Sequence, residues 1–329
     1  MSDDEAYAAF RAVRFADNGG EAFCPHCGCH AVYEYAARRI FKCKACERQF
    51  SLTSGTLFAS RKLAIRDILT ALALFVNGAN GHAALRMGRD LNVSYKTAFV
   101  LLHKLREAMG DMRTPEKLSG VVEVDGIWVG GKIRKRSPSD RRLNFSKPRP
   151  KDIKPEVWEK MLATREKQRV IVTLRERREG GRSRSFVCKS EGEAVQDVLA
   201  MTREDAVIHV DEGPGWNRLH AYREVEHVNH SRMYVTGNGV HVNNVESFNS
   251  RVRRAERGVH HRISGNYLQG YADEFCWRED HNRVANGQQF ASVLRTVAQM
   301  PVSRTWKGYW QRRRGDTPTG ARARMQAPR

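Results

Sequence analysis

The spacing of apolar positions changes several times along the chain, and each change predicts an element. From 121 to 129, VVEVDGIWV is almost unbroken in apolar residues and reads as a buried strand, stopped by Gly130-Gly131, with Asp125 near its middle. Similar runs predict strands at 168–176, 184–189, 206–211 and 224–229, with a helix at 191–202 between them. The run 206–211, AVIHVD, ends in Asp211 and is closed by Gly213-Pro214-Gly215. At 243–256 the period becomes helical, with Val245, Phe248 and Val252 on one stripe, and a second helix is predicted at 266–284.

Upstream, 63–76 is apolar-rich and helical. A further helix follows, then a break near Asp90–Val93, then a helix opened by Ser94 as N-cap. Helix, short turn and helix, with Tyr95, Lys96 and Thr97 at the front of the second, has the shape of a helix-turn-helix reading DNA. The same pattern also suits a helical hairpin that only packs. In the first 62 residues, His30–Lys42 alternates enough for a hairpin, and Phe50 and Leu52 continue a strand. Four segments result: 1–62, 63–117, 118–290 with a basic insertion at 131–167, and a basic tail at 291–329.

Charge narrows the partner. The 329 residues carry 57 Lys and Arg against 37 Asp and Glu, a formal +20, which favours a polyanion and above all nucleic acid. The excess is clustered. Residues 131–155 hold ten Lys/Arg against two Asp, with four prolines, and read either as a DNA-backbone contact or as a solvated insertion. Residues 303–329 hold eight Arg/Lys against one Asp, behind Trp306 and Trp310, and read as a mobile tail binding DNA without sequence preference. No stretch approaches ~18 consecutive apolar residues, so no membrane partner is expected. The acidic start, MSDDEAYAAF, has no apolar core and does not read as a signal peptide, so a cytoplasmic, nucleoid-associated chain is expected.

In that compartment cysteines are reduced or metal-bound. Cys24-Pro-His-Cys27 and Cys43-Lys-Ala-Cys46 are two C-x-x-C knuckles with 15 residues between them, the spacing of a four-thiolate structural zinc site. Four thiolates leave no open coordination position, so the ribbon is expected to be structural or DNA-contacting. His26 and Cys29 are not counted as ligands.

The candidate chemistry lies in three acids. A carboxylate inside an apolar strand is costly unless paired or holding a metal. Asp125 alone could be a satisfied structural acid; Asp211, at the end of a second apolar strand, suggests one sheet presenting both. Glu246 in HVNNVESFNSRVRRAER lies beside the helical stripe, with Arg253 two turns along the same face. Between Asp211 and Glu246 there are 34 residues.

Taken in order, EVDGIWVGGK, HVDEG and HVNNVESFNSRVRR, with the downstream YLQGYADEFCWREDHNR, resemble the DDE transposases of the IS1595 family, whose core is the ISXO2-like domain. The resemblance covers roughly residues 20–290. It implies an α/β, α+β multi-domain chain with an RNase H-like mixed sheet. It implies Asp125, Asp211 and Glu246 as catalytic ligands of Mg²⁺ or Mn²⁺, with Asn243 as an alternative third residue. It also implies DNA contacts from Lys132, Arg253 and Arg254, and terminal inverted repeats and target DNA as partners. Holding two DNA ends makes a homodimer or larger assembly the expectation. The family commonly has an acid after the first Asp and Lys seven residues after the Glu; this chain has Gly126 and Arg253. Arg keeps the charge but changes the geometry. Two other readings remain open: a DNA-binding regulator with an inert core, and a metal-dependent nuclease without strand transfer. A phosphatase or kinase finds no P-loop or HxxEH-type site.

Overall fold

The computed structural model describes residues 1–130, 148–149, 151, 153–228 and 241–311. In chain order the elements begin with α1 (Asp3–Arg14), β1 (Val32–Tyr35), β2 (Ile40–Cys43), β3 (Gln49–Ser51), α2 (Ile65–Asn77), α3 (Ala84–Asp90) and α4 (Tyr95–Asp111). Next come β4 (Val121–Val129), α5 (Pro155–Arg165), β5 (Arg169–Glu176), β6 (Ser183–Cys188), α6 (Val195–Met201), β7 (Val207–Asp211) and β8 (Glu224–Val228). Helices α7 (Asn243–Ala255), α8 (Leu268–Asp280) and α9 (Asn286–Gln299) follow. The chain forms two compact units, one from Met1–Thr114 together with the segment that starts at His281, the other from Pro115–Asp280.

The first unit opens on α1, which the ribbon reading of 1–62 did not anticipate. Its start is a capping box: the Glu5 amide donates to Ser2 Oγ at 3.2 Å and the Ser2 amide to Glu5 Oε2 at 2.6 Å. The ribbon is the antiparallel sheet β1-β2-β3, whose Phe41 ring stacks on Phe50 at 5.2 Å and meets Phe15 edge-on at 6.2 Å. Ser94 caps α4 as expected, accepting from the Thr97 amide at 3.2 Å. Near the end of α3, Gly88 lets the turn into α4 pass close by: a Cβ there would stand 3.1 Å from the Val93 carbonyl oxygen.

The segment from 291 is not simply a tail. Helix α9 packs on α1, α2 and α4, burying Val293, Leu294, Val297 and Ala298. Beyond it, Trp306 is 6% exposed and stacks on His103 of α4 at 4.4 Å. Trp310 Nε1 donates to the Lys96 carbonyl at 3.2 Å, while Lys96 Nζ lies 5.4 Å over the Trp310 ring. Buried Trp306 and the Lys96 contacts of the more exposed Trp310 anchor this stretch to α4, so the reading of a mobile segment from 303 fails up to residue 311. Residues 312–329 lie outside the described residues.

The second unit holds a mixed sheet in the order β6-β5-β4-β7-β8. Strands β6, β5 and β4 are antiparallel neighbours, while β4, β7 and β8 run parallel. Apart from α5, predicted and observed elements of this unit agree within a few residues, and the sheet is the mixed one expected. Central strand β4 is covered on both sides, which explains its unbroken apolar sequence. Val122 and Val124 enter one core with Val195, Val198 and Trp216. Ile127 and Val129 enter the other with Phe248, Val252 and Phe275 of α7 and α8. The basic insertion ends in a helix rather than a loop: Pro155 occupies the first turn of α5, where its missing N–H costs nothing, and Trp158 is buried.

Candidate active site and metal centre

The two knuckles bring four sulfurs together. Cys24 Sγ lies 3.6 Å from Cys46 Sγ and Cys27 Sγ 3.6 Å from Cys43 Sγ, and all four ligand atoms fall within 4.8 Å of one another. Tetrahedral zinc with bonds of about 2.3 Å puts sulfurs roughly 3.8 Å apart, so the donors fit that ion. Backbone N–H groups of Cys46 and Ala45 point at the Cys43 sulfur, at 3.4 and 3.3 Å, and hold its thiol down to about 6. A thiolate is the form that binds metal.

The acids stand at the other unit's sheet. Strands β4 and β7 are parallel, with Val124 opposite Val210. The next residues on, Asp125 and Asp211, therefore stand at the same level of adjacent strands and project to the same face. Both are partly buried. Asp125 Oδ2 accepts from Asn249 Nδ2 at 2.8 Å, and its Oδ1 accepts from the Gly126 amide at 2.7 Å. Asp211 Oδ1 accepts from the indole N–H of Trp216 at 3.0 Å and the Gly213 amide at 3.1 Å. Burial pushes the Asp125 carboxyl up to about 6, the charge of Asp211 pushes the same way, and that of Glu246 adds to it.

Glu246 is exposed in the first turn of α7, near enough for its charge to act on Asp125. Among the described residues, the zinc-ribbon sulfurs are the only group of three or more such donors within 4.8 Å of one another. Asp125, Asp211 and Glu246 do not stand at mutual ligand distance, although the charges of Asp211 and Glu246 act on Asp125. Asn243 is exposed at the start of α7, and its amide donates to His241 Nδ1 at 3.4 Å. The amide side chain on Asp125 is instead that of Asn249, three residues after Glu246. Arg253 and Arg254 are exposed on α7, and Tyr95 is half exposed at the front of α4. Lys132 lies outside the described residues.

The first turn of α7 is tied to the sheet by Glu123, which strand alternation puts on the face of Asp125 but which no sequence motif singled out. Val242, at the N-cap of α7, has no side chain to accept the helix's free amides. Glu123, fully buried, supplies the acceptor: its Oε2 takes the amides of Asn244 at 2.9 Å and Val245 at 3.2 Å, and its Oε1 takes Asn244 Nδ2 at 2.8 Å. His241 Nδ1 lies 3.2 Å from Oε1. The His and Asn before Glu246 thus dock that motif onto the strand of the first Asp.

A further acid was missed. Glu191, in the short 3₁₀ turn ahead of α6, is partly buried beside Gly126 and Gly215. Burial first, and then the charges of Asp211 and Asp125, push its carboxyl up to about 7. No local pattern marks it, because it is brought in by the crossover between β6 and β7.

Residues 117–280 match the model of the ISXO2-like transposase domain, and residues 1–49 that of the transposase zinc-ribbon domain. The chain is similar to a Halobacterium salinarum protein described as an uncharacterized protein in transposable element ISH50. The two are 25% identical over 285 residues, which is 84% of this chain and 91% of that one. No solved structure matches the chain. No helix among the described residues is long and apolar enough to cross a membrane.

Proposed function

Because the chain belongs to the IS1595-type, ISXO2-like transposases, we propose that it binds the terminal inverted repeats of an insertion sequence, cleaves there, and joins the freed 3′-hydroxyl to target DNA. The observation that carries this reading is the paired register of Asp125 and Asp211 on adjacent parallel strands, with the first turn of α7 and Glu246 beside them. Hard carboxylate oxygens suit Mg²⁺ or Mn²⁺, and Asp125, Asp211 and Glu246 would hold them. Such ions, when bound, activate a water or 3′-hydroxyl and stabilise the departing 3′-oxygen in an in-line displacement at phosphorus.

The chain's own groups orient the donors. Asn249 fixes one oxygen of Asp125, and the Trp216 indole and Gly213 amide fix one of Asp211, which leaves little freedom to lose on binding. Arg253 and Arg254 would neutralise phosphates along α7, and Tyr95 and Lys96 would contact the repeat from α4. The zinc ribbon and the helical segment position the DNA; a dimer would hold two ends together.

The test is Mg²⁺-dependent nicking and joining of end DNA by purified protein. Asp125→Asn, Asp211→Asn and Glu246→Gln should each lose both products while keeping zinc content and DNA binding. Full strand transfer by any of these variants removes that residue from the site. Nicking without a joined product makes the protein a nuclease, and DNA binding without nicking makes it a regulator.

A further inference from the structure

Two glycines frame Glu191. A Cβ added at Gly126 would stand 2.6 Å from Glu191 Oε1 and 2.9 Å from its Cγ. A Cβ at Gly215 would stand 2.8 Å from Glu191 Cβ and 3.3 Å from its Oε2. Where Glu191 stands, a side chain at 126 would displace its carboxylate and one at 215 would meet its Cβ, so the two glycines leave room for this side chain. Gly126 directly follows Asp125, and Gly215 lies in the turn that leaves Asp211. The carboxylate is therefore delivered to the place where the two aspartate-bearing strands part, and the charges acting on it are theirs.

A second feature, a buried acceptor beside Asp125, suits a cation. Asn249 is 2% exposed, and its amide N–H reaches Asp125, but its side-chain oxygen is buried with no hydrogen-bond partner. A dry acceptor beside the Asp125 carboxylate is costly unless a cation or its hydrating water completes it.

We propose that Glu191 is a further ligand of the divalent-cation site, its carboxylate threaded between Gly126 and Gly215 to reach the ions shared by Asp125 and Asp211. This rests on the metal-dependent reading above. It also defines a substitution geometry. An aspartate at 126 would carry its own carboxylate to almost the same spot, provided Glu191 is first shortened; the next nearest atom, Val170 Cγ1 at 3.0 Å, need yield by only a few tenths of an ångström.

The experiment measures Mn²⁺ binding to the zinc-loaded full-length protein, by the electron paramagnetic resonance signal of free Mn²⁺, with thermal unfolding as a check on folding. Glu191→Gln should weaken Mn²⁺ binding at least ~10-fold, since even outer-shell losses reach that size. Glu191→Ala should do the same, and Glu191→Ala with Gly126→Asp should recover most of the affinity. If Glu191→Gln binds Mn²⁺ like the wild type while Asp125→Asn does not, Glu191 is no ligand and the active-site reading stands. A folded double variant that binds no better than Glu191→Ala alone counts equally against the proposal. If Asp125→Asn and Asp211→Asn also bind normally, the divalent site itself is wrong and this inference falls with it.

Discussion

Replacing Glu123 separates a buried charge from a buried acceptor. In the wild type its two oxygens take two backbone amides and one side-chain amide from α7, and His241 sits beside them. Glu123→Ala strips all of these and leaves the Asn244 and Val245 amides unpaired in a dry site. Breaking a buried charged contact in this way costs roughly 3–5 kcal/mol. Glu123→Gln keeps the shape. Its remaining oxygen can face the two backbone amides, while its NH₂ faces the Asn244 side chain, which turns over to accept, and a neutral His241. What is lost is the charge at the helix N-terminus and its long contact with Arg177 Nε at 4.0 Å, about 1–2 kcal/mol together. The readout is hydrogen exchange of peptides spanning α7. At about 1.4 kcal/mol per factor of ten, Glu123→Ala should speed exchange there by roughly 10²-fold to several 10³-fold, and Glu123→Gln by about 5- to 30-fold. DNA nicking should fall in the same order. Unchanged protection of α7 in Glu123→Ala, or a Gln variant as damaged as the Ala variant, would refute the clamp.

Two other outcomes follow from the same geometry. Asp125 and Glu191 have carboxyls raised to about 6 and about 7. Their protonated forms therefore stabilise the metal-free fold at low pH, and that contribution is lost as pH rises from the ordinary carboxylate range through these values. Mn²⁺ binding should strengthen over the same window with release of protons; calorimetry in buffers of different ionisation enthalpy would detect this, and binding as tight at pH 5 as at pH 8 would contradict it. Stripping zinc with a chelator should unfold the β1-β3 ribbon while leaving the circular dichroism of a separately expressed 115–280 unit unchanged, and loss of one zinc per chain by elemental analysis should track the change.

Much of the architecture could be read from local patterning. The strands of the second unit are buried on both faces or end in turn-forming residues, and α4 and α7 announce themselves by a cap or a stripe. The knuckle spacing needed only tight turns. What stayed hidden was decided by contacts distant in sequence. Glu191 reaches the aspartates through a crossover, and Asn249 meets Asp125 only because α7 docks on β4. Glu123 was visible in the strand but had no meaning until the uncapped end of α7 was found above it. The first helix carried its own signal in Ser2 and Glu5, overlooked because its acidic first turn was weighed only as a leader. The packing of α9 and Trp306 against the N-terminal helices had no local signature, since their partners lie at the opposite end of the chain.

That last arrangement bears on how the molecule is made. Helices α1, α2 and α4 emerge from the ribosome early, but the helix and tryptophan that seal them emerge only after the whole 115–280 segment has been translated. Until then the nascent N-terminal region exposes apolar surface and waits. A premature stop or frameshift within the catalytic segment would not release a competent, repressing fragment; it would release an unsealed one, fit for proteolysis.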